Sequence, residues 1–236
     1  MIDFTKSKQY TLSIRLSTDG FSFSIYNPIH DDSLSIIEKE IDTSLSLTAN
    51  LKAVFHESDF LNHPYKRVNI MMASKRFTIA PLDLFEEGQA ELLFYHNHQK
   101  RENETVLYNI LRKNNVAVIF GIDKSAQTFL NEQYPEARFY SQSTPFIDYF
   151  SVKSRLGNSK KMYASVRKDG IDIYCFERGH LLLMDGGRGQ VNIALGVLDK
   201  LGIRIPVCGM VKDDHHRTRG LYLDRKSTRL NSSHRT

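Results

Sequence analysis

At 236 residues, with 32 basic against 27 acidic side chains and a hydrophobic fraction of 41%, the chain has the composition of a globular protein able to bury a core without a disulfide framework. No apolar run reaches the roughly 18–20 residues of a membrane span. The opening MIDFTKSKQY lacks the apolar stretch of a secretion signal, and Cys175 and Cys208 stand far apart with no CxxC spacing, so a reducing, cytoplasmic setting with no membrane partner is expected. The surplus positive charge is local: residues 1–180 hold 22 basic and 22 acidic side chains, and the excess lies in 181–236. That distribution argues against a nucleic-acid-binding surface on the main body of the chain.

In chain order, TLSIRLS places Leu12, Ile14 and Leu16 on one face, and FSFSIY does the same with Phe21, Phe23 and Ile25. Asp19-Gly20 between them makes this pair a β-hairpin. A third strand is expected at 34–41 and a helix over roughly 44–59. The apolar runs RVNIMMA and RFTIAPL read as strands, followed by a helix near 86–95. ETVLYNIL and VAVIFGI give two more strands, then a helix at 124–133, a short strand ARFYS and a helix at 144–156. ASVRKDGIDIYCFE repeats the pattern of SIRLSTDGFSFSIYN, with its turn at Asp169-Gly170, and HLLLM supplies a third strand. The fold class is therefore mixed α/β, with two lobes that each open on three antiparallel strands.

The stretches LSLTANLKAVF, FLNHPYKRVN, LFYHNHQKRENETVLYNILRKNNV and QYPEARFYSQSTPFIDYFSVKSRLGNSKKMYA carry a resemblance over residues 1–183. They are similar to an uncharacterised bacterial family of unknown function for which an actin-like ATPase fold has been proposed. The resemblance implies a first actin-like lobe over 1–160 and the start of a second over 161–183, each built on an RNase H-like plan; it implies no reaction. Actin-like ATPases hold phosphates against a glycine-rich first hairpin. Here that hairpin offers Ser17, Thr18, Asp19 and a single Gly20, and bulky side chains keep backbone N–H groups away from a phosphate. It reads as an ordinary turn, with no bound nucleotide expected.

Three other clusters have a functional and a structural reading. His96 and His98 would share one face of a strand as half a zinc site, but the local sequence reads as a polar helix end. His30-Asp31-Asp32 supplies hard oxygen ligands, or simply a solvated turn. The aromatics of FYSQSTPFIDYF at 139–150 offer a stacking surface for bases, or at helical spacing a core face.

The pattern changes at 181–223. An apolar strand (181–184) ends in Asp185, followed by Gly186-Gly187-Arg188-Gly189-Gln190, a helix over 191–201 closed by Gly202, and the strand IPVCGMV. An aspartate at the end of such a strand is either an exposed catalytic carboxylate or a solvated residue in a strand–helix turn. DGGRGQ, LGIRIPVCGMVKDD and HRTRGL resemble the RNase H-like endonuclease domain of UvrC, the excinuclease of bacterial nucleotide excision repair that incises DNA on the 5′ side of a lesion. The resemblance implies a metal-binding, catalytic Asp185, with Mg²⁺ or Mn²⁺ as cofactor. It also implies phosphate contacts from Arg188, Lys212, Arg217 and Arg219, and as partners DNA and UvrB, the companion protein of the excinuclease. The family's first aspartate has no counterpart before 181, and neither His215 nor His216 stands at the position of its catalytic histidine, so no catalysis is expected from this piece.

Residues 224–236 form a basic, serine-rich tail, in which DRKSTRLNSSH resembles, residue for residue, the in-frame translation of a common short-read sequencing adapter. The expected organisation is thus chimeric. An actin-like domain of unknown function has its second lobe completed by a foreign RNase H-like strand–helix–strand fragment, and an adapter-like tail follows. The alternative expectation is a cytosolic actin-like binding or structural module with no nuclease role.

Overall fold

A computed structural model describes residues 2–28, 34–156, 160–167, 170–181, 208–212 and 218–223. The chain divides into two compact units, Met1–Leu181 and Leu182–Thr236.

The first unit is organised around a five-stranded sheet. β1 (Thr11–Ser17) and β2 (Gly20–Tyr26) form the expected hairpin, in register from Thr11↔Tyr26 to Ser17↔Gly20. Gly20 turns it with φ +145°, and a Cβ there would stand 2.9 Å from the Lys39 carbonyl oxygen, so the tip has room for glycine alone. β3 (Leu34–Lys39) adds antiparallel to β2. After α1 (Leu47–Glu57) the chain returns through β4 (Arg67–Ala73), which pairs parallel with β1. The last strand, β8 (Arg138–Ser141), pairs parallel with β4 to give the order β3-β2-β1-β4-β8.

Period-two patterning sends Leu12, Ile14, Leu16, Phe21, Phe23, Ile25, Val68 and Ile70 to one face of that sheet. There they pack with Leu51, Val54 and Phe55 of α1 and with Ala126 and Leu130 of α3 (Lys124–Gln133). Each fully buried aliphatic or phenyl side chain of this set contributes about 2 kcal/mol.

Between β4 and β8 the chain builds a second sheet. β5 (Phe77–Pro81), β6 (Glu104–Leu111) and β7 (Val116–Asp123) assemble in the order β5-β7-β6, all antiparallel. β7 is buried along nearly its whole length because it serves three clusters. Phe120 and Ile122 join the main core, Val116 and Val118 meet Ile147 of α4 (Ser143–Arg155), and Ile119 meets Phe94 of α2 (Ala90–Asn97). Arg76 locks this sheet with two 2.7 Å hydrogen bonds donated to the buried Glu104 carboxylate. Gly121 leaves room for that carboxylate, since a Cβ there would collide with Glu104 Oε1.

α4 then leads into β9 (Lys160–Arg167), β10 (Gly170–Glu177) and β11 (His180–Leu181), the second antiparallel triplet expected from the repeated hairpin pattern. Phe146 and Phe150 of α4 stack with each other, and Phe150 lies 4.1 Å from Tyr163, with Tyr174 and Phe176 completing the cluster. Of the aromatics of 139–150, Phe139, Phe146 and Phe150 therefore pack against the core, Tyr149 is exposed, and Tyr140 lies on the polar face of the five-stranded sheet.

In the second unit, β12 (Cys208–Lys212) and β13 (Thr218–Leu223) form an antiparallel pair whose register shifts at Val211/Lys212, which leaves Arg219 as the bulged residue.

Candidate functional site

The same alternation that buries one face of the five-stranded sheet leaves polar residues on the other. Cross-strand register sets them in rows. Ser24 pairs with Ser13 and Ser13 with Asn69; one step along, Ser22 pairs with Arg15, Arg15 with Met71 and Met71 with Tyr140. Arg67 lies opposite Thr11, one step the other way. The small serines recess this surface into a groove of about 590 Å³, within the range of small-molecule sites. Thr144, Pro145 and Asp148 of α4 and Leu111 of β6 form a wall, and Ile36 of β3 stands at the other side of the floor.

The wall is fixed in place by hydrogen bonds. Asn109 of β6 accepts from the Ser141 N–H (3.0 Å) and the Thr144 hydroxyl (2.7 Å), and its own amide donates to the Phe139 carbonyl at 2.8 Å. Gln142 donates its backbone N–H to Met72 O at 2.9 Å and its side-chain amide to Asp172 at 2.8 Å, while Ser143 and Tyr174 share a hydroxyl contact of 3.0 Å. The first turn of α4 is thus tied to β4, β6 and β10.

The floor is the reverse. Among the described residues, the side chains of Ser13, Ser22, Ser24, Asn69, Tyr140 and Arg67 make no hydrogen bond or ion pair, and neither does that of Asp148 on the wall. These groups are open to solvent, which hydrates them in the free protein, and a ligand entering the groove would replace that water. Arg15 has a partner, Asp19, at 3.7 Å. Asp19 also accepts a hydrogen bond from the Ser17 hydroxyl, so the hairpin carboxylate is engaged within its own turn.

His96 sits in the last turn of α2 and not on a strand. His98 follows as its C-cap, with Nε2 3.1 Å from the Phe77 carbonyl and its ring 4.5 Å from Phe94. Among the described residues, no three His, Cys, Asp or Glu side chains come together as a metal site would require. His30, Asp31 and Asp32 lie outside the described residues, as do Asp185, Arg188 and Arg217. Lys212 ends β12 and Arg219 lies in β13, so the hairpin register brings these two positions to the same end of the pair. The groove is missing from the sequence-based expectations. Its only signal was the polar half of the alternation in TLSIRLS and FSFSIY, whose apolar half had already marked the strands.

Comparison with known proteins relates the chain to two families. Residues 150–235 match the UvrC RNAse H endonuclease domain, a longer stretch than the 181–223 expected from the sequence. The UvrABC system protein C of Lachnospira eligens is 79% identical over 78 residues, and that of Clostridium novyi 64% over 55 residues. These alignments take in 32% and 23% of this chain but only 12% and 9% of those proteins, so the chain spans about a tenth of the length of its curated relatives. The other match runs through the body that carries the groove. A crystal structure from Bacteroides thetaiotaomicron, described as a protein with actin-like ATPase fold and unknown function, superposes with a TM-score of 0.76. It is 76% identical and aligns with 86% of this chain and 81% of its own. Residues 1–185 match the family described as protein of unknown function, DUF3822, and the two family matches overlap across β9–β11. The chain therefore belongs to the DUF3822 family, an actin-like fold of unknown function, and carries at its C-terminal end a fragment of UvrC.

Proposed function

We propose that this chain is a binding module, with its ligand site in the sheet groove, and that its UvrC-like segment contributes no endonuclease activity. The observation that carries the reading is the groove floor, where half-buried Ser13, Ser22, Ser24 and Asn69 stand without partners beside a wall held rigid through Asn109 and Gln142. A site pre-formed on strands and a fixed helix turn binds with little ordering cost. A cytoplasmic setting belongs to this proposal. Cys175 is a free thiol whose burial pushes its pKa up, as suits a reducing compartment.

The second reading rests on the UvrC likeness alone. It gives Asp185 a divalent Mg²⁺ or Mn²⁺, sets Arg188, Lys212, Arg217 and Arg219 against DNA phosphates, and makes UvrB a partner. Metal-assisted phosphodiester hydrolysis needs several hard ligands around the ion, and the resemblance supplies one carboxylate.

Both readings are testable on the full chain. Amide-resolved NMR against a small-molecule library is expected to perturb Ser13, Ser24, Asn69 and Tyr140; a library that moves none of them overturns the groove reading. Lesion-containing plasmid incubated with Mg²⁺ or Mn²⁺ is expected to be nicked no faster with the chain than without it. Nicking that Asp185→Ala abolishes would establish the endonuclease reading instead.

A further inference from the structure

The groove holds two opposite charges that do not meet. Arg67 enters it from the first residue of β4 and Asp148 from α4, and neither has an ion-pair partner among the described residues. An arginine and a carboxylate within reach of one another normally form a hydrogen-bonded pair. Arg15, the other cation of the groove, is already partly balanced by Asp19 at 3.7 Å. Among the described residues, that leaves one free cation and one free anion lining the same concavity.

The middle row of the groove floor is neutral. Asn69 is the next same-face position along β4 from Arg67, and its row continues through Ser13 to Ser24. Successive same-face positions on a strand stand about 6.7 Å apart, so this row begins one short bond-chain from the guanidinium. Serine hydroxyls and an asparagine amide both donate and accept, which suits amides or hydroxyls in a ligand and gives no advantage to further charge. A phosphate dianion would match Arg67 but would set its second charge against Asp148. A molecule with one positive and one negative group matches both.

Resting on the groove reading above, we infer that this site binds a zwitterionic, peptide-like ligand. Its carboxylate pairs with Arg67, its free amine pairs with Asp148, and its amide or hydroxyl middle lies over Ser13, Ser24 and Asn69. The groove's 590 Å³ is ample for a dipeptide and leaves space for side chains.

Calorimetry on the full chain tests this with the dipeptides Ala-Ala and Ser-Ala, their N-acetylated forms and their C-terminal amides. Free dipeptides are expected to bind, and capping either end to weaken binding at least tenfold, the size of one charge-assisted hydrogen bond. In Arg67→Gln the amide cap is expected to change little further, and in Asp148→Asn the acetyl cap likewise. Both residues are exposed, so neither change threatens the fold. Capped and free dipeptides binding alike would overturn the inference. Inorganic phosphate or acetylated dipeptide binding as tightly as free dipeptide, with loss in Arg67→Gln, would also overturn it while keeping the groove as an anion site. Silence of the groove amides toward every probe overturns this inference and the groove reading together.

Discussion

At the scale of single residues, two tyrosines fix the chain between α1 and β4, Tyr65 from within it and Tyr134 from the end of α3. The Tyr65 hydroxyl donates to the Phe60 carbonyl at 2.6 Å, and the Tyr134 hydroxyl donates to Leu61 O. Burial pushes the Tyr65 phenol up to about 12; burial also raises Tyr134, with the neighbouring Tyr65 adding to the shift. Both groups are more protonated folded than unfolded, so their contribution is complete below the unfolded pKa of about 10 and disappears as pH rises through the folded values. Urea midpoints are therefore expected to hold between about pH 8 and 9.5 and to fall toward about pH 12. Tyr65→Phe should remove about 1–2 kcal/mol of that fall, a figure reduced for the half-exposure of Tyr65. An unchanged alkaline slope in Tyr65→Phe would show that this phenol is not the group being titrated. None of this was legible in the sequence, where Tyr65 and Tyr134 stand among ordinary polar neighbours and their carbonyl partners follow from tertiary packing.

At the scale of elements, Asp123 joins four pieces of the first unit. It ends β7, caps α3 by accepting the Ala126 N–H at 2.8 Å, accepts from Asn103 at 2.7 Å beside β6, and receives the Thr48 hydroxyl of α1 at 3.3 Å. Asp123→Ala is expected to cost about 2–3 kcal/mol in chemical denaturation, while Asp123→Asn, which keeps a capping oxygen, should cost less than half as much. Equal losses in the two variants would mean the cap is not what matters. α3 itself was readable to the residue because an aspartate precedes its amphipathic run. The other helix starts were less so. α1 begins at Leu47, later than its apolar pattern suggests, because Ser46 accepts the Ala49 N–H as N-cap. α2 begins at Ala90 because Glu87–Gln89 closes a 3-10 turn ahead of it. The strands β5, β6 and β7 were each visible as apolar runs, but their order was not. β5 reaches across to β7, and that pairing is set by which faces remain to be covered.

For the whole molecule, the division at Leu181 sets off a body with its own core from the C-terminal unit, while the UvrC match, residues 150–235, runs across that division. A chain ending at Leu181 is expected to fold cooperatively, with a melting temperature within about 3 °C of the full chain, a shift of roughly 1 kcal/mol or less for a body of this size. Loss of cooperative unfolding in that truncation would show that the second segment is structurally required. The two family resemblances were legible because each rests on long runs of residue identity, and the actin-like plan followed from the repeated strand–turn–strand pattern. The groove was not, because it exists only once register sets Ser24, Ser13 and Asn69 side by side and α4 is tied down along them. Polar residues on a strand look alike in sequence whether they face open water or a cavity.

The parallel pairing of β8 with β4 has a consequence for how the chain folds. The chain leaves β4 at Ala73 and does not return to it until Arg138. Bringing those ends together as free coil would cost the entropy of a long closed loop. The antiparallel sheet β5-β7-β6 lies wholly inside that excursion, and its β6–β7 hairpin closes over a short turn at Arg112–Asn114, with Asn115 in the left-handed region. Local contacts of that kind form early, and pairings of high sequence separation form late. The inserted sheet thus acts as a spacer that shortens the search. With that sheet collapsed, β8 has only a small gap to close, and its pairing with β4 brings along α4, which follows it directly in the chain and forms the wall of the groove.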